Sequence, residues 1–387
     1  VGLLYILIPS FLCLFLVDLS TAMLHSLRRF ALPASLRLVA PIISILSVVL
    51  LARSLGIYAL AIGVTVGAIL QLSILLTGLH WQGLHYQFIF SPLDPGMRRL
   101  VRLVLPFAFV ALAAVLAGVT YRILASYLSP GSLSTLKYAE KITQFFSSVF
   151  LASITTVIFP LLSEKASRKD FRGMRDTMAS SIRLMAFITL PMVIGIALLH
   201  DPIASLAYER GRLTPEAASM IGSALLFLGI GLTTNGISSV LGHTVVALQK
   251  TRISAVVTII SQVVSIILFL LFTPRMGHTG LALASSLGPI AIALMYFFYL
   301  RRIIPNLRYI FWHLTYVKII VLTALLTGTV VAVSLLTESS PVWVRAIAPT
   351  LAGAAVYLLG AHLWRIPEMQ QFAAILQNKR KSLKSTL

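Results

Sequence analysis

The sequence predicts an all-α polytopic membrane protein of about eleven transmembrane helices, and three observations carry that prediction. Of 387 residues, 58% are hydrophobic and only 11% are charged, against roughly 25% charged in soluble domains. The mean hydropathy is +0.95. The apolar residues fall into long uninterrupted stretches separated by short basic loops, and a helix of about 20 such residues spans a bilayer. No water-soluble core absorbs this much apolar sequence.

In chain order the predicted spans are A 3–24, B 36–53, C 56–79, D 103–125, E 133–161, F 181–199, G 216–245, H 254–273, I 279–300, J 315–336 and K 342–363. Span A carries Pro9, Cys13 and Asp18. Span C contains Gly63-Val64-Thr65-Val66-Gly67, whose small residues four apart allow two helix backbones to approach closely. Spans E and G are long enough to tilt or bend. Pro9, Pro106, Pro160, Pro191 and Pro289 lie inside spans, as expected of helices that bend around a cavity. Cys13, the single cysteine, sits mid-span as a small packing residue, so there is no disulfide framework to read.

The net charge of +20 would suggest nucleic acid in a soluble protein. Here the positions of the cations decide the matter. Of 31 Lys and Arg, 23 lie in loops A–B, C–D, E–F, G–H and I–J with the span ends that flank them and in the tail after Trp364, five lie in or beside the alternate loops, and Arg122, Lys137 and Lys141 lie deeper within spans. This alternation is what the positive-inside rule produces. It predicts that the first set of loops and the C-terminus are cytoplasmic, and with no soluble domain left to present a basic face, nucleic acid is excluded as a partner.

The chain also repeats itself. Met23-Leu24-His25-Ser26-Leu27-Arg28 resembles Ala247-Leu248-Gln249-Lys250-Thr251-Arg252, an offset of 224, and Gly56-Ile57-Tyr58-Ala59-Leu60-Ala61 resembles Gly277-His278-Thr279-Gly280-Leu281-Ala282, an offset of 221. Spans A–B–C therefore pair with G–H–I. Transporters are commonly built from such repeats, with the substrate site between the halves. If D to I form a six-helix lobe, the first lobe holds only its last three helices. The expected division is then 1–80 as the second half of an N-terminal lobe, 81–300 as a C-terminal lobe, 301–364 as two additional helices and 365–387 as a basic cytoplasmic tail. Three further helices, roughly 120 residues at the spacing of these spans, are expected before Val1, which is not a Met and follows no visible signal peptide.

Ionisable side chains within spans are costly, roughly 2.5 to 3.5 kcal/mol each, and usually face a cavity or a partner. Lys137, Lys141, Gln144 and Ser148 in span E recur at helical spacing on one face. That face would line a water-filled cavity whose cations hold a phosphate or pyrophosphate. The alternative is structural: Lys137 snorkels to the interface, and Lys141 pairs with Glu140 or another acid. Arg122, near the extracytoplasmic end of span D, could serve the same cavity or simply snorkel. Asp18 is read chiefly as the partner of a basic residue, or else as an ion ligand. The chain contains no HExxH, CxxC, G-x-S-x-G or P-loop pattern, and its eight histidines show no metal-ligand spacing, so neither an enzyme nor a cofactor is expected. Asp94, Glu164, Asp170 and Asp176 read as solvated loop charges.

Several segments, taken in order, resemble one family. Leu24-His25-Ser26-Leu27-Arg28-Arg29-Phe30-Ala31-Leu32-Pro33-Ala34 is similar to the L-N-S-x-x-R-F-x-x-P-A segment of the lipid II flippase (MurJ) family. Asp94-Pro95-Gly96-Met97-Arg98-Arg99-Leu100, Ala125 to Ser132, Tyr138-Ala139-Glu140-Lys141, Phe159 to Ser163, Tyr208 to Thr214 and Ala247-Leu248-Gln249 continue the likeness along nearly the whole chain. The resemblance implies the two-lobe fold of the multidrug/oligosaccharidyl-lipid/polysaccharide exporter superfamily, here a MATE-like architecture with an incomplete first lobe. It further implies outward transport of an undecaprenyl-pyrophosphate-linked glycolipid across the bacterial inner membrane by alternating access, and a groove for the lipid tail shaped by the last two helices.

Carried over by position, Lys141 stands where the family usually has the Arg of Y-A-D-R, and Glu140 where it has the Asp. Arg28, Arg29, Lys250 and Arg252 become candidates for a cytoplasmic gate, beside Lys141, Lys137, Arg122, Glu140, Gln144 and Asp18 for substrate. Two departures bear on coupling: Tyr121 and Lys250 replace acidic residues of the family, so no coupling cation is expected through them. Two other readings remain open: export of another polyprenyl-linked oligosaccharide, and a non-transporting scaffold whose partners would be cell-wall synthesis proteins.

Overall fold

A computed structural model describes residues 2–27, 29, 31–82, 94–209 and 213–369. The described residues form helices joined by short turns, in two compact units, Val1–Asp94 and Pro95–Leu387.

The first unit contains α1 (Gly2–Ser26), the short α2 (Ala31–Leu36), α3 (Val39–Leu55) and α4 (Tyr58–Trp81). Close approach of α3 and α4 explains the small-residue pattern. A Cβ on Gly63 would stand 2.7 Å from the Ser47 Cβ, and one on Gly67 would stand 2.8 Å from the Ala40 Cα, so only glycine fits there. Val17, Leu24, Leu36, Leu75 and Leu79 form the unit's small core. On α3 no residue is buried; Val49 and Leu50 are over 70% exposed, an apolar surface suited to lipid rather than water.

The second unit contains α5 (Pro95–Ser126), α6 (Ser132–Phe146), a π-helical turn (Ser147–Leu151), α7 (Ala152–Ser167), α8 (Phe171–Tyr208), α9 (Pro215–Ala247), α10 (Thr251–Leu300), a 3₁₀ turn (Leu307–Phe311), α11 (Leu314–Leu336) and α12 (Val342–Leu363). Local chemistry sets the helix starts. Asp170 accepts the Gly173 amide at 2.8 Å at the head of α8, and Thr214 caps α9 ahead of Pro215, a first-turn position where proline's missing N–H costs nothing. The backbone leaves helical geometry at Leu199 within α8, because Pro202 offers no N–H to the Leu198 carbonyl and its ring crowds the preceding turn. The last two helices pack on α8, where the Tyr357 hydroxyl donates to the Phe187 carbonyl at 2.7 Å.

Nine helices among the described residues are long and apolar enough to cross a membrane, and two features bring this into line with eleven spans. As one rod the 50 residues of α10 would reach about 75 Å at 1.5 Å per residue, far beyond the roughly 30 Å hydrocarbon layer. Gly277, at φ 59° and ψ −134°, divides it into spans H and I. Span E corresponds to α6, the π-turn and α7 together, a run with an interrupted helix rather than a single rod.

The internal repeat has a physical basis in shared turns. Gly56 adopts φ 55°, ψ −129°, nearly the conformation of Gly277, and a left-handed φ of this kind favours glycine. The Thr65 hydroxyl donates to the Ile6 carbonyl at 2.7 Å, and 221 positions on, the Ser286 hydroxyl donates to the Phe227 carbonyl at 2.7 Å. Likewise the Arg29 amide closes onto the Leu24 carbonyl (2.9 Å) and the Lys250 amide onto the Val245 carbonyl (3.1 Å). The expected offset of 224 at the first segment is therefore corrected to 221. Aligning Arg28 with Arg252 matched charge, whereas the turn that ends the helix places Arg29 opposite Lys250.

Candidate functional site

The candidate residues of span E sit on α6, which begins after Gly131 in a left-handed turn (φ 92°). Its inner face, with Thr135, Leu136 and Ala139, is buried, and its outer face presents Lys137, Lys141 and Gln144. Ser148 is also exposed but lies in the π-turn, where the i→i+5 bonding pattern shifts the register of the residues beyond it. The polar stripe that simple helical spacing extends through Ser148 therefore ends its regular course near Gln144.

The charges on this face are not equivalent. The Lys137 ammonium lies 2.5 Å from one Glu140 oxygen, and the other oxygen accepts the Tyr121 hydroxyl at 2.8 Å. The ammonium also sits 5.4 Å from the Tyr121 ring centroid, and that ring packs edge-on against Phe269. Glu140 is thus occupied by Lys137 and Tyr121, which corrects the alternative that paired it with Lys141. The reason is geometric: residues three apart share a face, whereas adjacent residues point about 100° apart. Lys141 lies 5.9 Å from the Tyr138 ring centroid and has no carboxylate within 4.0 Å among the described residues. Tyr138 is itself held by Tyr208, whose hydroxyl donates to the Tyr138 carbonyl at 3.2 Å.

The remaining candidates are dispersed. Arg122 is exposed on α5. Asp18 is exposed on α1 without a salt bridge among the described residues, so the expected pairing is not found there. Arg29 borders a cavity of about 460 Å³ in the first unit with Trp81 and Gln82. Lys250 and Arg252 are exposed at the α9–α10 turn, where Gln249 takes a positive φ of 57°. Arg28 and the tail beyond 369 lie outside the described residues. Glu164 and Asp176 pair locally with Arg168 and Arg175, and Asp170 serves as a helix cap.

Two features escaped the sequence. Arg183, counted among loop cations, is embedded in α8 and donates through Nε to Glu368 Oε1 at 2.6 Å, with the Glu368 side chain fully buried. The partners are 185 positions apart, a separation no local pattern reveals. A cavity of about 300 Å³ is walled by Phe150, Phe187, Pro191, Leu326, Gly353 and Tyr357, bringing α8, α11, α12 and the π-turn to one apolar wall.

Helices crossing a membrane, an internal repeat and a polar helix face define the class: the fold is that of the MOP-superfamily exporters. The chain resembles the solved "Lipid II flippase MurJ, inward closed conformation" with a TM-score of 0.77 at 22% identity, covering 94% of this chain and 74% of that one. It also resembles an inward-facing multidrug MATE transporter of that superfamily, with a TM-score of 0.67 at 14% identity, covering 78% and 71%. The family model "Lipid II flippase MurJ" matches residues 1–349, and the chain belongs to that family. The probable lipid II flippase of Vibrio cholerae is 29% identical over 283 residues, 72% of this chain and 54% of that protein. The chain spans a little over half the length of the curated relatives it matches.

Proposed function

We propose that this chain works as part of a lipid II flippase, moving a polyprenyl-pyrophosphate-linked glycolipid outward across the bacterial inner membrane by alternating access. The observation that carries the reading is the state of Lys141. Its neighbour Lys137 is neutralised by Glu140, whereas among the described residues Lys141 has no carboxylate partner and lies against the Tyr138 ring, leaving its charge for an incoming anion. A pyrophosphate entering a low-dielectric site needs such a counter-charge, because an unpaired ion there costs several kcal/mol. Lysine serves as a point charge rather than a bidentate fork. The apolar cavity against α8, α11 and α12 offers the matching environment for a hydrocarbon tail. Within the second unit, Arg122 and Gln144 are proposed to serve the same path as Lys141, and Lys250 and Arg252 to act near its cytoplasmic opening; within the first unit, Asp18 is proposed as a substrate contact and Arg29 as a cytoplasmic gate residue.

The full-length gene is expected to restore growth and precursor export to a bacterium depleted of its own lipid II flippase. Restored export of a different polyprenyl-linked oligosaccharide alone would redirect the cargo, and a scaffold would restore neither.

The charge alternation supports a cytoplasmic C-terminus. In a Cys13→Ala background, Ser129→Cys in the exposed turn before α6 is expected to react with a membrane-impermeant thiol reagent in intact cells, and Ser167→Cys at the end of α7 only after permeabilisation. The reverse pattern would invert the topology.

A further inference from the structure

A third cavity, remote from Lys141, has a chemistry the pyrophosphate reading leaves unused. It encloses about 610 Å³ where the ends of α7, α9 and α10 meet. Thr155 and Phe159 come from α7, Ser239 and His243 from α9, and Ser254 and Tyr296 from the two ends of α10. Among its described lining residues there is no Lys, Arg, Asp or Glu, so an ion placed there would find no counter-charge. The polar groups are instead hydroxyls and one imidazole. Thr155 donates to the Leu151 carbonyl at 3.1 Å. The Ser254 and Tyr296 hydroxyls lie 3.1 Å apart, a pair that can give or take a hydrogen bond. His243 Nδ1 lies 2.7 Å from the Ser239 carbonyl; a carbonyl only accepts, so Nδ1 carries the proton, and in the neutral ring Nε2 is left as an acceptor. The Phe159 ring stands edge-on to His243 with centroids 5.6 Å apart. Gly242 keeps the wall open, since a Cβ there would stand 3.1 Å from the Tyr296 ring.

Neutral hydroxyl donors and acceptors, flanked by aromatic faces, form a lining suited to a sugar ring, whose hydroxyls bond sideways and whose C–H face lies on a π-system. We propose that this cavity binds the neutral glycan portion of the transported molecule. Its role in transport rests on the flippase reading, whereas its sugar binding does not. Phe159 lies 18 residues from Lys141 along span E, on the far side of the π-turn. The cavity and the cation are therefore stations towards opposite ends of one span, occupied in succession as the headgroup crosses.

Saturation-transfer NMR on the full-length protein in nanodiscs, with N,N′-diacetylchitobiose as the neutral probe, tests this. Transfer to the ring protons is expected for the unmodified protein, with at least a fivefold loss in Ser239→Leu, which fills the cavity, and in Phe159→Leu, which removes the stacking face. If Ser239→Leu lowers abundance, Phe159→Leu carries the test alone. Absence of transfer in the unmodified protein, or undiminished transfer in both cavity variants, would overturn the proposal. Sugar binding that persists in a protein unable to export would count against the flippase reading and leave the cavity assignment standing; export with no sugar binding would do the opposite.

Discussion

Lys141→Gln in the full-length protein abolishes precursor export while membrane abundance stays near normal, and Lys141→Arg retains export. The charge is what matters, and no carboxylate among the described residues is stranded by its removal, so stability has little reason to change. Lys137→Gln behaves differently. It removes the ion-pair partner of Glu140 and leaves a carboxylate that, among the described residues, Tyr121 still bonds. Abundance is expected to fall, and Lys137→Gln/Glu140→Gln to recover it. Export assays and quantitative immunoblots on the same cells check both. Full export by Lys141→Gln, or rescue of Lys141→Gln by adding Glu140→Gln, would make Lys141 a structural residue.

Arg183→Leu lowers the melting temperature of the purified full-length protein substantially, because it leaves the fully buried Glu368 carboxylate without its partner. Breaking a buried pair from one side costs about 3–5 kcal/mol, whereas replacing both partners with apolar groups is often close to neutral. Arg183→Leu/Glu368→Leu is therefore expected to melt near the unmodified protein. Glu368 Oε2 and the Tyr316 hydroxyl are buried with no hydrogen-bond partner among the described residues, so Arg183 is the carboxylate's side-chain hydrogen-bond donor there. Thermal unfolding in detergent decides it: an Arg183→Leu protein that melts unchanged, or a double variant no better than the single, would remove the pair from the stabilising interactions.

The helical membrane class was legible because apolar length is a one-dimensional property. A stretch of about 20 apolar residues has one stable solution in a bilayer, a helix that satisfies its own backbone. The Gly63 and Gly67 pair was legible for the same kind of reason, since small residues four apart announce a close approach whatever they pack against, whereas the left-handed turns at Gly56 and Gly277 came from the structure. The candidate site was legible only in part. Helical spacing put Lys137, Lys141 and Gln144 on one face, but it left Lys141, rather than Lys137, as the expected partner for Glu140.

The sequence by itself determined the class, the order and number of spans, the repeat and the cationic character of α6, since each depends on residue type and spacing along the chain. The tertiary structure decided which cation is neutralised, because rotamer reach and the arrival of Tyr121 from α5 select Lys137. It alone set the register of the repeat at 221, since a turn's closing hydrogen bond fixes equivalence more strictly than matched charge. It alone joined Arg183 to Glu368 and gathered Phe159, His243 and Tyr296 around one cavity, because contacts between distant segments arise from packing and leave no periodic trace in the chain.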